Sequence, residues 1–125
     1  MERVGEAELL EKMQKALQLP WSREDITRIA DHLREGRLQA FWNAEAIVLT
    51  EICSSPVRSF LNVYLVAGKL KALEKLKPYV VAHAREHGLT EIQGLVRPEW
   101  AAYLKRKGWV KWAELWHLPV DKWGE

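Results

Sequence analysis

Two carboxylates and two imidazoles are the side chains whose types and spacing suggest chemistry. Glu51 ends the β-branched run AIVLTE, and Glu91 opens the segment EIQGLV, so both are placed to take a proton from an amine. Acids on strand faces and at sheet edges are commonly plain solubilising charges, and that role is preferred for both. His83 and His87 stand four apart on one predicted helix face, a spacing that suits a metal, but no third ligand accompanies them. They are read as helix-end histidines favoured by the dipole, and no metal site is assigned. His32 and His117 have no ligand spacing. The sequence also lacks a nucleophile elbow and a Walker loop.

Composition narrows the classes. The 125 residues are 48% hydrophobic, enough for one domain with a proper core, and carry a formal charge of +2. That bias is too small to argue for nucleic acid, and Lys105-Arg106-Lys107 with Lys111 reads as a solvated helix end. A single cysteine, Cys53, forms no internal disulfide and reads as a buried, inert thiol. The opening MERVGEAELLEK lacks a signal-peptide core, and no apolar run approaches the roughly 18 residues of a membrane helix. The expectation is a reducing, aqueous compartment and no membrane partner.

These side chains must be held by elements that the pattern predicts. Leu9, Leu10, Met13, Ala16 and Leu17 make one face of a helix over 5–18, which Leu19-Pro20 stops. Residues 1–20 are therefore expected to be a helical arm and 21–125 the domain. Ser22 with Asp25 caps a second helix, which Gly36 ends. A hairpin follows, with strands near 38–43 and 45–53, and a strand near 59–66 reads as buried on both faces. After Gly68 a long helix carries Leu70, Leu73, Leu76, Val80, Val81 and Ala84 on one stripe; Pro78 predicts a kink or a break near Leu76. Strands near 91–96 and 110–119 bracket a helix that begins at Pro98, with Trp100, Ala101 and Leu104 inward. Residues 109–117 fit a helix as well. Five of the seven tryptophans crowd the last quarter; Trp100 and Trp109 are assigned to the core, Trp116 and Trp123 to an interface.

The order helix, hairpin, strand, glycine turn, long helix, strand, helix, strand resembles the GCN5-related N-acetyltransferase fold. The resemblance is strongest in AREHGLTEIQGLVRPEWAAYLKRKGW, where a long helix ends in a charged segment plus glycine and a shorter helix ends in a Gly-aromatic pair. It covers roughly residues 22–119. The chain is more similar still to small proteins of this type encoded in tailed-phage genomes, with counterparts of GRLQAFW, VVAHAREHG and RPEWAAYL. It implies an α/β (α+β) fold, a mixed central sheet flanked by helices.

The resemblance also implies where departures matter. The family binds the pyrophosphate of acetyl-CoA through a Gln/Arg-x-x-Gly-x-Gly/Ala turn, which here is Leu65-Val66-Ala67-Gly68-Lys69-Leu70-Lys71. One glycine survives, so Gly68, Lys69 and Lys71 are the cofactor candidates, while the Leu70 and Lys71 side chains crowd the approach. The family's thiolate-protonating tyrosine falls at Leu104, with Tyr103 beside it about 100° round the helix; the family's asparagine falls at Arg97. The expectation is a non-catalytic protein without a cofactor, a virion or tail component found in the virion or host cytoplasm. Its surface would be Leu9, Leu10, Met13, Leu17, Trp21, Trp116 and Trp123, facing a homo-oligomer or other virion proteins. The alternative is an acetyl-CoA-dependent N-acetyltransferase with a degenerate loop, for which Tyr103, Glu51 and Glu91 are the fallback catalytic residues.

Overall fold

The structure is a computed structural model, and it describes residues 6–94, 96, 98–111 and 118–122. The backbone runs α1 (Glu6–Leu17), α2 (Arg23–Arg34), β1 (Gln39–Asn43), β2 (Ala46–Ser54), β3 (Ser59–Gly68), α3 (Leu70–Glu86) and β4 (Ile92–Gly94). After β4 come a short 3-10 turn (Pro98–Trp100), α4 (Ala101–Arg106) and a second 3-10 turn (Val120–Lys122). One compact unit extends through Leu95 and a second begins at Val96. Among the described residues no helix is long and apolar enough to cross a membrane.

The first unit is a four-stranded sheet in the order β1-β2-β3-β4. β1, β2 and β3 pair antiparallel, and β4 joins β3 parallel, as a strand returning after a crossover helix must. Cross-strand partners share a face, so Ala40, Leu49 and Leu65 lie together, as do Trp42, Ile47 and Ala67. This face meets α1 and α2 in a core of Leu9, Leu10, Met13, Ile26, Ile29, Ala30, Leu38, Ile47 and Leu49. The other face carries Phe41 and Val48 toward α3, whose buried stripe is Ala72, Leu73, Leu76, Val80 and Ala84. Thr50, fully buried, donates its hydroxyl to Gln39 Oε1 (3.2 Å), so the polar group it hides is satisfied.

Three expectations are corrected here. The first helix is no free arm: Leu10 is 0% exposed, Leu9 and Met13 are buried, and Leu17 and Trp21 pack on the same cluster. The stripe has its partner in the chain's own sheet. Gln18, in the left-handed region at φ 54°, ends this helix, and the Gln14 side chain donates to the Trp21 carbonyl. Second, the break expected near Leu76 does not occur: α3 runs as one helix through Pro78, because its apolar stripe continues past the proline against the sheet while the ring stays exposed. Third, β3 is not buried on both faces. Its partner register steps from Leu49↔Leu65 to Thr50↔Val63, so Tyr64 is an extra residue, and the bulge moves Leu61 and Leu65 to opposite faces.

In the second unit, Trp100 and Leu104 are half-buried, Ala101 is exposed and Trp109 is 37% exposed, so the inward assignment of Ala101 and the core assignment of Trp109 do not hold. Most of the expected strand near 110–119, with Trp116 and Trp123, lies outside the described residues.

Two outcomes follow from this packing. Removing residues 1–19 should give a chain without a cooperative unfolding transition by circular dichroism, and Leu10→Ala should cost about 2–5 kcal/mol in urea unfolding. Gly68→Ala should cost about 2–5 kcal/mol, combining overpacking with a disallowed φ. The comparison is Gly88→Ala, also at positive φ but with nothing within 4 Å of the added carbon, which should cost about 1–2 kcal/mol.

Candidate functional site

The site is built where β3, α3 and the β1–β2 turn converge. Gly68 sits at φ +122°, and a Cβ there would lie 2.2 Å from the Glu45 carbonyl and 2.6 Å from Ala46 Cα. The glycine is thus demanded by the hairpin tip. Four further interactions lock the same corner. The Lys69 N–H donates to the Glu45 carbonyl (3.1 Å), the Asn43 amide donates to the Ala72 carbonyl (2.9 Å), and the Glu45 N–H donates to Asn43 Oδ1 (3.0 Å). Lys69 also pairs with Glu45 at 2.6 Å, which lowers the carboxyl's pKa and raises the amine's, chiefly through that hydrogen bond.

α3 therefore begins with its first-turn N–H groups uncapped by any side chain. Lys69 is turned to Glu45, while Lys71 and Leu70 are exposed at the same end. Beside this corner, pairing of β3 with β4 covers Leu61↔Ile92, Asn62↔Gln93 and Val63↔Gly94. Among the described residues the β3 edge from Tyr64 to Gly68 has no strand partner on that side. An uncapped helix start next to an open strand edge offers N–H groups to an anion and an edge to an extended amide chain.

The bulge shapes the third part. Tyr64 and Leu65, consecutive in sequence, both line a cavity of about 240 Å³ with Trp21, Asp25, Arg28 and Ile29 from the start of α2. Ser22 and Asp25 form a reciprocal capping box, Ser22 N–H to Asp25 Oδ2 (2.9 Å) and Asp25 N–H to Ser22 Oγ (3.0 Å). The Ser22 N–H is the main cause of a lowered Asp25 pKa, so this carboxylate is ionised. Arg28 stands three residues on, on the same helix face.

Glu51 lies on the groove's side of the sheet, opposite Asn62, whose amide donates to Glu51 Oε1 (2.8 Å). Asn62 precedes Tyr64 by two residues, roughly 6.6 Å along the strand. Cys53 is half-exposed rather than buried; desolvation first, then the neighbouring Glu51, raises its pKa, so the thiol stays protonated. Glu91 is separate in role: its carbonyl accepts the Leu61 N–H (3.0 Å) and its carboxylate pairs with Arg58 (3.5 Å) at the strand entrance. Tyr103 belongs to the second unit, with its ring edge on Trp100 (6.0 Å) and the Lys107 ammonium 5.8 Å from its centroid.

His83 and His87 do come together, with ring centroids 4.5 Å apart, but no group of three metal-ligating side chains exists among the described residues. His83 lies edge-on to Phe41 (5.5 Å), and its Nε2 is buried without a hydrogen-bond partner. Desolvation, then the His87 charge, lowers its pKa.

Asp25, Arg28, Ile29 and Tyr64 were not foreseen as site residues. The capping box was legible, but the bulge that turns Tyr64 toward α2 has no sequence signature, since Tyr64 lies in an unbroken strand pattern.

With this geometry in place, solved structures give a match along nearly the whole chain. A Trypanosoma brucei acetyltransferase is 13% identical with a TM-score of 0.66, covering 96% of this chain and 96% of that one. The chain has the GCN5-related N-acetyltransferase fold. An aminoglycoside acetyltransferase from an uncultured soil metagenomic sample, in complex with sisomicin, is 11% identical with a TM-score of 0.71, covering 95% and 93%. An aminoglycoside N-acetyltransferase in complex with CoA is 11% identical with a TM-score of 0.69, covering 90% and 87%. No family model matches the sequence, and no curated protein matches it.

The His83 environment sets a pH dependence. A base whose folded pKa is depressed binds fewer protons folded than unfolded, so stability is full above the unfolded value of about 6.5 and falls as pH drops through the depressed one. Urea midpoints should decline between pH 7.5 and 5.5, and His83→Phe should flatten that slope.

Proposed function

We propose that the protein is an acyl-CoA-dependent N-acyltransferase, the alternative rather than the main expectation drawn from the sequence. The observation that carries it is the open β3 edge running into the uncapped start of α3, beside a groove lined by the bulge. The acetyltransferase neighbours favour the same class, and one of them was solved with CoA. None of these neighbours is a virion protein, which leaves the virion and tail role without support. The apolar stripe offered for that role is consumed by the core.

The residues fit acetyl-CoA at the level of backbone. The first-turn N–H groups of Leu70, Lys71 and Ala72 would meet its pyrophosphate, with Lys71 adding charge, and the Tyr64–Gly68 edge would meet its amide arm. Gly68 serves the hairpin contact, so the loss of the family's second glycine leaves that turn intact. When bound, acetyl-CoA supplies an activated acyl thioester. Glu51, oriented by the Asn62 amide, is the group proposed to take the proton from the acceptor amine as nitrogen forms the new amide bond. Tyr103, the fallback proton donor drawn from the sequence, belongs to the second unit and is assigned no step.

Calorimetric titration with acetyl-CoA should give saturable binding with a micromolar midpoint, weakened at least tenfold by Lys71→Glu; absence of binding at millimolar ligand would overturn the assignment. In turnover, Glu51→Gln should lower kcat by about 10²–10⁴-fold with little change in the KM for acetyl-CoA.

A further inference from the structure

The groove between α2 and the β3 bulge carries one charge of each sign, an anchored carboxylate and an exposed guanidinium, against an apolar wall. Asp25 is anchored through Oδ2 to the Ser22 N–H, so its position is set by the helix cap. Arg28, one turn further along the helix, brings a planar guanidinium into the same cavity. Trp21 and Tyr64 supply two aromatic rings, and Ile29 and Leu65 the aliphatic floor. At about 240 Å³ the cavity lies below the usual range for drug-sized ligands, so it suits a small molecule.

From this arrangement we infer that the groove selects a small α-amino acid with a large apolar side chain as the acceptor: carboxylate on Arg28, amino group toward Asp25, side chain among Trp21, Tyr64, Ile29 and Leu65. The inference rests on the acyltransferase assignment for its word acceptor, but the recognition itself needs only the groove. A guanidinium matches a carboxylate bidentately, which a neutral or purely cationic ligand forgoes. The same Arg28 charge works against a polycation, because a like charge across a binding surface penalises the wrong partner. The groove thus differs in selectivity from what a polyamine such as sisomicin requires. The wet rim and apolar floor leave the ligand's charged end toward solvent and its body covered.

Four probes separate these statements, measured by calorimetry on the full chain: L-phenylalanine, phenethylamine, 3-phenylpropanoate and sisomicin. Phenylalanine should bind, with phenethylamine and 3-phenylpropanoate each at least tenfold weaker and sisomicin weaker still. Arg28→Gln, an exposed change on a helix surface, should bring phenylalanine and phenethylamine to within about twofold of each other. Asp25→Asn, which keeps an oxygen for the Ser22 N–H, should bring phenylalanine and 3-phenylpropanoate together; circular dichroism of both variants should match the unaltered protein. Equal binding of phenylalanine and phenethylamine, tighter binding of sisomicin, no binding of phenylalanine, or a preference unchanged in Arg28→Gln would each overturn the inference. Phenylalanine binding with no acetyl-CoA binding would uphold the groove's selectivity and sink the acyltransferase assignment. Acetyl-CoA turnover with polyamines but not amino acids would do the reverse.

Discussion

The close approach of Gly68 to the Glu45–Ala46 backbone is the constraint on which the rest of this unit depends. A strand that must end against a hairpin tip leaves room for no side chain, and its φ of +122° is one that glycine alone adopts without strain. Because β3 stops there, α3 can start at Leu70 and lie back across the sheet. Asn43, bonded to the Ala72 carbonyl, and Lys69, bonded to Glu45 by backbone and side chain, fasten the helix start to the turn from the other side. The exposed ion pair adds little stability in water; the backbone bonds and the steric fit define the corner.

What this corner provides is directional. Side chains cap neither Leu70 nor its successors, so the helix presents its N–H groups outward while its apolar stripe seals the opposite side on β1, β2 and β3. The parallel strand β4 covers only three residues of β3. An edge that short leaves the continuation toward Gly68 open beside the helix start. Anion-binding and strand-edge surfaces are thus adjacent because one connection, from β3 to α3, makes both.

The bulge at Tyr64 divides the sheet functionally. On the helix-covered side of the step, Leu65 and Ala67 pack onto the α1–α2 core; beyond it, Asn62, Glu51 and Cys53 share the same face without that cover. One additional residue therefore sets a polar cluster next to a partly apolar groove. The capping box places Asp25 at the groove mouth for a local reason, the N-terminal turn of α2, and the bulge places Tyr64 there for a nonlocal one.

Much of the scaffold was written into the sequence by local rules. Ser22 and Asp25 marked the start of α2, Gly36 and Gly88 marked helix ends, the alternation about Asn43-Ala44 gave the hairpin, and the stripe Leu73, Leu76, Val80, Ala84 gave α3. Those features depend on residues within a few positions of one another, where periodicity and capping chemistry act. Tertiary structure decided the remainder. It buried Leu9, Leu10 and Met13 that the sequence could equally have offered to a partner, since an amphipathic stripe states that a face must be covered and not by what. Packing on the sheet carried α3 through Pro78. Register, which arises only when β2 and β3 pair, inserted Tyr64 as a bulge, and that pairing across more than ten residues turned a strand residue, a helix-cap aspartate and Arg28 into the walls of one cavity.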